Sequence, residues 1–290
     1  MRLSLVIPAK SLADPKLAEL LASIEKQSFP KDWMETLVIT DGTSESAKAI
    51  GIRRAKGEVI GILASDNELM DSMTLRFAYE DARVFGASSP SYYHYQGNDD
   101  VLNRYFSLIG GNDPLAFYMK KNDRSSYLKY EPNPRGSIGD NGFFIRRECI
   151  VSTNLDNYYH VDNAIESNCN IRWNPFAIWH KTGGNIFKFF TKRYRYGLQH
   201  AFNKNRRWHL VDFRQPKDTL RLLWFVVASV SLVHPLWTSI RGYRKLRDLA
   251  WFMHPIACLF TVCTYGALVI HVTLRHLFQS LFVLMAGRTA

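Results

Sequence analysis

Apolar positions in the first third of the chain come in short blocks that alternate between two periods. Leu3-Ser4-Leu5-Val6-Ile7-Pro8 is aliphatic, rich in β-branched residues and closed by a proline, which predicts a strand. Leu17, Leu20, Leu21 and Ile24 then fall at helical spacing behind an Asp14-Pro15 start signal, predicting a helix over 17–27. The pattern continues with a strand over 35–40, a helix over 46–56 and a strand over 57–63. This last strand is almost unbroken aliphatic, as a strand buried on both faces must be. It stops abruptly at Ala64-Ser65-Asp66-Asn67-Glu68. Strands and helices in strict alternation, with polar residues at each strand's carboxyl end, predict an α/β fold with a mostly parallel sheet and helices on both faces. Further elements are predicted at 71–85 (helix), 88–95 (strand), 101–111 (helix) and around Phe143-Phe144-Ile145 (strand), with a mixed polar stretch between 113 and 130.

The end of the chain has a different texture. Two runs, 222–240 and 249–274, contain no Lys, Arg, Asp or Glu, and the second is long enough to cross about 30 Å of hydrocarbon. A third, 277–286, is too short to span and reads as interfacial. Two transmembrane helices are the expected arrangement. The basic connector Arg241-Gly242-Tyr243-Arg244-Lys245-Leu246-Arg247-Asp248 would then face outward, against the positive-inside tendency. A re-entrant hairpin broken at Pro235 and Pro255 is the alternative that keeps it inside. The expected organisation is a domain over 1–200, a basic juxtamembrane segment over 201–221 and a membrane-associated helical region over 222–290.

Charge sharpens this picture. A formal net charge of +11 points to anionic partners such as acidic lipids, nucleotides or nucleic acid. Four cysteines (Cys149, Cys169, Cys258 and Cys263) show no CxxC pairing, which argues against a zinc site or a disulfide framework and fits a reducing compartment. The N-terminal apolar run is too short for a signal peptide. No GxGxxG or P-loop is present, so dinucleotide and ATP fingerprints are missing.

Candidate chemistry gathers at the strand ends. Open α/β sheets bind ligands there, and Mg²⁺ typically pairs one or two carboxylates with substrate phosphates. Asp66-Asn67-Glu68 is therefore a candidate metal–phosphate site, although a polar turn has the same composition. The order of motifs resembles that of family-2 inverting glycosyltransferases of the GT-A fold. It rests on residues 3–8, on Ser23-Ile24-Glu25-Lys26-Gln27-Ser28, on Val38-Ile39-Thr40-Asp41-Gly42-Thr43-Ser44 and on Gly51-Ile52-Arg53-Arg54-Ala55-Lys56-Gly57-Glu58. It continues through Gly139-Asp140-Asn141-Gly142-Phe143 and Tyr159-His160-Val161-Asp162-Asn163 to Lys192-Arg193-Tyr194-Arg195-Tyr196.

The resemblance implies a donor site of Pro8, Asp41, Arg53, Ser65, Asp66 and Arg195. Asp66 would bind a divalent metal (Mn or Mg), and Ala64 stands where that family's metal motif has its first Asp. Asp140, Asn141 and Gly142 would lie on the acceptor side. Asp162 would be the general base, because inverting transfer needs one carboxylate to deprotonate the acceptor hydroxyl; Val161 replaces the usual Glu, and Glu166 is the fallback. Read without the resemblance, Asp162 is equally an N-cap for a helix over 164–167. His180, Lys192 and Arg193 would face the diphosphate, and Lys192 and Tyr196 replace the Gln and Trp of the Gln-x-x-Arg-Trp element.

The implied partners are a nucleotide-sugar donor, a lipid-linked acceptor such as a polyprenyl-phosphate saccharide, and membrane lipids, in polysaccharide or glycan assembly. The location would be the inner membrane with the catalytic domain facing the cytoplasm. Basic residues interleaved with aromatics also suit RNA, but no RNA-binding motif accompanies them and no nucleic acid is expected. The alternative from another class is a non-catalytic membrane module that binds nucleotide-sugar or anionic lipid, for which Ala64 and Val161 argue.

Overall fold

In the computed structural model of the chain, β1 (Leu3–Pro8) lies between β2 (Met34–Ile39) and β3 (Val59–Ile62), parallel to both. The structure describes residues 1–91, 94–111, 113–119, 130–132, 140–156, 158–181, 184–202, 211 and 213–286. The remaining strands are β4 (Asn67–Leu69), β5 (Gly86–Ser91), β6 (Tyr130–Pro132), β7 (Phe143–Arg146) and β8 (Asn170–His180). Sheet order is β2-β1-β3-β7-β5-β8-β4, with β6 also on β8. Of the six strands from β2 to β8, only β7 runs against the rest, since it is antiparallel to both β3 and β5.

The alternation along β1 divides the helices between two layers. Leu3, Leu5 and Ile7 pack with α1 (Pro15–Glu25), α3 (Thr74–Phe85) and α4 (Val101–Ile109), while Val6 packs with Ala49 and Ile52 of α2 (Ser44–Arg54). Next to α2, Val161 and Ala164 of α6 (His160–Glu166) cover Phe143 and Ile145. The first helices follow the predicted positions to within two residues because local caps set them. Asp14 caps α1, and Thr43 and Ser46 form a reciprocal capping box on α2. The strand predicted over 88–95 starts earlier, at Gly86, and residues 92–93 lie outside the described set. The polar stretch around Lys120, Lys121, Arg124 and Tyr127, and the basic residues Lys204, Arg206 and Arg207, also lie outside it.

Two expectations are corrected. Cys149 and Cys169 are joined in a disulfide across 20 residues. Their spacing carries no motif; β7 and β8 flank β5, and the bond between Cys149, in the turn after β7, and Cys169, just before β8, passes over Gly86 at the start of β5. The cysteine count is therefore no sign of a reducing compartment.

The second correction concerns the apolar run 222–240. It is not one helix but two, α8 (Pro216–Ser231) and α9 (Val233–Lys245), bent by 84° about Leu232, which takes a left-handed φ of 59°. Among the described residues one unbroken helix is long and apolar enough to cross a membrane, α10 (Met253–Ala286), which absorbs the 277–286 run; the bent α8–α9 pair passes the same test together, as a broken span or a re-entrant loop. These helices pack on the sheet domain. Phe225, Ala228 and Cys258 cluster with Leu115, Tyr118 and Met119 of α5 (Pro114–Tyr118) and the turn after it, and α10 lies along α7 (Ile186–Phe202), with Gly197 against Leu268.

Candidate active site

β3 ends at the carboxyl edge of the sheet, and the backbone there is held from two sides. The Ala64 amide donates to the Asn67 side-chain oxygen at 3.0 Å and to that of Asn141 at 2.9 Å. The Gly142 amide donates to the Ile62 carbonyl at 2.7 Å. The Asp140-Asn141-Gly142 turn therefore sits directly against the Ala64-Ser65-Asp66 loop, because β7 leaves that turn antiparallel to β3. Gly142 has a φ of 73°, which the turn requires and which side chains disfavour.

Asp140 reaches the other way. Its carboxylate accepts from Lys48 at 3.0 Å and from the Val161 amide at 3.3 Å, in the first turn of α6. That turn carries Asp162, buried with 8% exposure. Because α6 starts at His160 with Tyr159 at its N-cap, Asp162 lies inside the helix and the N-cap alternative falls. One turn of chain thus touches both the Asp66 loop and the helix of the candidate base. Asn163, next to Asp162, is structural, accepting from the Val151 and Ser152 amides.

Across the site, β4 pairs antiparallel with the end of β8 and sets Asn67 opposite His180. His180 Nε2 stands 3.3 Å from Asp66 Oδ1. Burial alone would raise the Asp66 pKa; the His180 interaction, with Lys16 and Lys192 nearby, outweighs it and holds the carboxyl below its ordinary range. Neither neighbour supplies the carboxylate missing at Ala64. Asn67 is spent on the Ala64 amide, and Glu68 pairs with Lys181 at 2.7 Å, which also binds Glu19.

This geometry bears directly on a divalent cation. Asp66 Oδ1 is buried with no aligned hydrogen-bond donor, so it has a lone pair to offer. Among the described residues no group of three His, Cys, Asp or Glu could hold a metal without help. A one-carboxylate site completed by substrate phosphates fits what Mg²⁺ or Mn²⁺ accepts.

α7 closes the site. Lys192 and Tyr196 are one turn apart, with the ammonium 5.7 Å from the ring, and Arg195 is exposed on the same stripe. Tyr196, though partly exposed, is raised above its usual pKa by partial burial first and then by the charges of Glu45 and Asp66. Arg193 points off this stripe, donates to buried Asp113 at 3.1 Å and stacks over Phe189. Arg53 also has a structural partner. α2 begins at the carboxyl edge and runs away from it, so Arg53, in its last turn, ends up bonded to Thr153. Pro8 and exposed Asp41 do stand at the carboxyl edge, at the ends of β1 and β2.

Sequence reasoning missed Lys16 and Lys48. Lysines on helix faces carry no local signal; only the packed fold turns Lys48 inward over Tyr159 and onto Asp140.

No protein-family model and no curated protein matches the chain. Several solved structures align with much of its length. The mannosyltransferase PcManGT from Pyrobaculum calidifontis, in complex with GDP-Man and Mn²⁺, is 13% identical over 92% of this chain and 87% of its own, with a TM-score of 0.48. S. aureus TarS 1-349 in complex with UDP is 12% identical over 92% of this chain and 90% of its own, with a TM-score of 0.44. Against a longer S. aureus TarS structure the match covers 68% of this chain and 40% of that one, at 15% identity and a TM-score of 0.38. At these values none of the pairs assigns an activity to this chain.

Proposed function

We propose that this chain is a membrane-attached inverting glycosyltransferase that moves a sugar from a nucleotide-diphosphate donor to a lipid-linked acceptor. One observation carries the reading: the Asp140-Asn141 turn bonds both the Ala64 amide, beside Asp66, and the Val161 amide, beside Asp162. The two segments that carry Asp66 and Asp162 are thereby tied to one turn, which suits a site that needs one carboxylate for the donor and another for the acceptor.

In this reading the donor lies over the carboxyl edge, with its nucleoside near Pro8 and Asp41 and its diphosphate between Asp66 and α7. A divalent cation held by Asp66, when bound, would supply charge neutralisation to the diphosphate. Lys192, Lys16 and Arg195 add fixed positive charge where negative charge grows on the leaving group. Tyr196 offers a ring face to the sugar or base. Asp162 takes the proton of the acceptor hydroxyl as it attacks the anomeric carbon from the face opposite the leaving group, so the configuration inverts. Membrane attachment through the C-terminal helices, with the domain on the cytoplasmic side, suits an acceptor whose reactive end lies at the lipid surface.

The test is release of nucleotide from a panel of UDP- and GDP-sugars by the full chain, with Mn²⁺, Mg²⁺ or chelator, using membrane lipid extract as acceptor. Turnover of one donor that falls with Asp162→Asn is the expected result. Nucleotide binding without turnover from any donor would instead favour a non-catalytic binding module, with Ala64 as its reason.

A further inference from the structure

Membrane attachment, as in the proposed function, leaves the manner of contact undefined. Three features of α8, α9 and their connector define it. First, the connector is tied to the sheet domain. Buried Asp248 accepts from the Tyr95 hydroxyl at 2.7 Å, pairs with Arg104 of α4 at 3.1 Å, and caps the turn behind it through the Ala250 amide at 2.7 Å. A connector on the far side of a bilayer would be about 30 Å away from these partners.

Second, each helix of the bent pair has a divided surface. On α8, Leu223, Trp224, Val227 and Val230 are exposed at helical spacing, while Phe225, Ala228 and Ser229 are buried against the domain. On α9, Val233, Leu236, Trp237 and Ile240 are exposed, with Pro235, Ser239 and Gly242 turned inward. Gly242 is packed so closely that a Cβ there would meet the Trp251 ring at 2.3 Å. So large a continuous apolar surface is costly in water and marks an interaction face. Third, that face ends in Arg241, Arg244, Lys245 and Arg247, all exposed.

We propose, given the membrane attachment of the glycosyltransferase reading, that α8 and α9 are a one-leaflet hairpin. Their apolar stripes enter the acyl boundary of a membrane whose anionic headgroups are held by Arg241, Arg244, Lys245 and Arg247, and the chain returns to the side it came from. Apolar stripes with tryptophans and a basic rim are what an in-plane membrane helix needs, and a polybasic edge selects anionic lipid. The hairpin lays the sheet domain against the surface, whether or not α10 also spans.

Two experiments test this without reading turnover, so they stand or fall apart from the glycosyltransferase assignment. In the first, the full chain is floated with vesicles of phosphatidylcholine alone or mixed with phosphatidylglycerol. Binding to the mixed vesicles is expected to be salt-sensitive and to weaken by roughly 30-fold in Arg244→Gln/Lys245→Gln. Trp224→Glu/Trp237→Glu is expected to remove the preference for the mixed vesicles, leaving only the binding that α10 gives equally to both. Equal binding to both vesicles by all variants, or a soluble dimer that buries the face, overturns the proposal. In the second, Lys10→Cys and Lys245→Cys, each made in a Cys263→Ser background, are labelled in sealed membranes with an impermeant maleimide. Labelling of both from one side is expected, and labelling from opposite sides overturns the hairpin.

Discussion

Lys48 Nζ lies 3.0 Å from Asp140 Oδ2, with only 11% and 5% of the two side chains exposed. The pair joins α2 to the one turn that touches both carboxylate-bearing segments. Removing one partner leaves the other charge buried and uncompensated, which costs about 3–5 kcal/mol. Lys48→Met and Asp140→Asn are each expected to lose stability on that scale in denaturant titrations, and Lys48→Met/Asp140→Leu to recover much of it. Independent, additive losses would show that the two are not coupled.

Asp162 and Arg53 make a contrasting pair. If Asp162 is the general base, Asp162→Asn lowers kcat by about 10²–10⁴-fold with little change in nucleotide binding. Arg53 is held at the far end of α2 by Thr153, so Arg53→Ala should leave nucleotide affinity within about twofold of the parent chain. Calorimetric titration with UDP and GDP, beside initial rates, separates the two.

His160 is wholly buried and accepts or donates a 2.6 Å hydrogen bond with Tyr158 through Nδ1. Burial, reinforced by Lys48 and opposed by Asp140, pushes its pKa from the usual histidine range down to about 3. The unfolded chain thus takes up this proton near pH 6.5, long before the folded chain does. His160 contributes stability above the unfolded value and loses it as pH falls towards 3, by up to about 1.4 kcal/mol per pH unit. His160→Gln is expected to flatten the stability–pH curve between those limits, and an unchanged slope would contradict the burial.

The Cys149–Cys169 bond closes a loop that contains all of α6. Alkylation of the unfolded chain without reductant should find two free thiols, Cys258 and Cys263. Cys149→Ser/Cys169→Ser is expected to cost about 3 kcal/mol by the loop-entropy relation. The same change loosens the segment that carries Asp162, so activity should fall more steeply with temperature than nucleotide binding does.

The sheet was legible where periodicity and caps agree, as in Leu3–Pro8 and the Thr43-capped α2. The strand Asn170–His180 was not, because Pro175 interrupts its pattern and its pairing with β5 slips at Pro90/Ser91. Asp66 and the Asp140 turn stood out because oxygen-rich residues directly follow or precede aliphatic strands. The Arg193–Asp113 pair was not legible, because one helical step, about 100°, decides whether a residue of α7 lies beside Lys192 or faces Asp113. The break in the 222–240 run was signalled by Pro235, which falls in the first turn of α9, but nothing local marks Leu232 itself for a left-handed backbone.

The place of β7 has a further consequence. β3 and β5 are made within the first 91 residues, yet they are not neighbours; the slot between them is filled by residues 143–146. While the chain is being synthesised, β3 therefore waits with one unpaired edge for some eighty residues of further elongation, a stretch in which an exposed aliphatic strand can find the wrong mate. Joining of the two parts of the sheet, and of the Asp66 loop to the Asp140 turn, is a late event that waits for β7; β8 then follows from residues 170–180 and pairs with β5, β4 and β6. A nascent chain stalled before that point would carry the Asp66 loop without the turn that holds it.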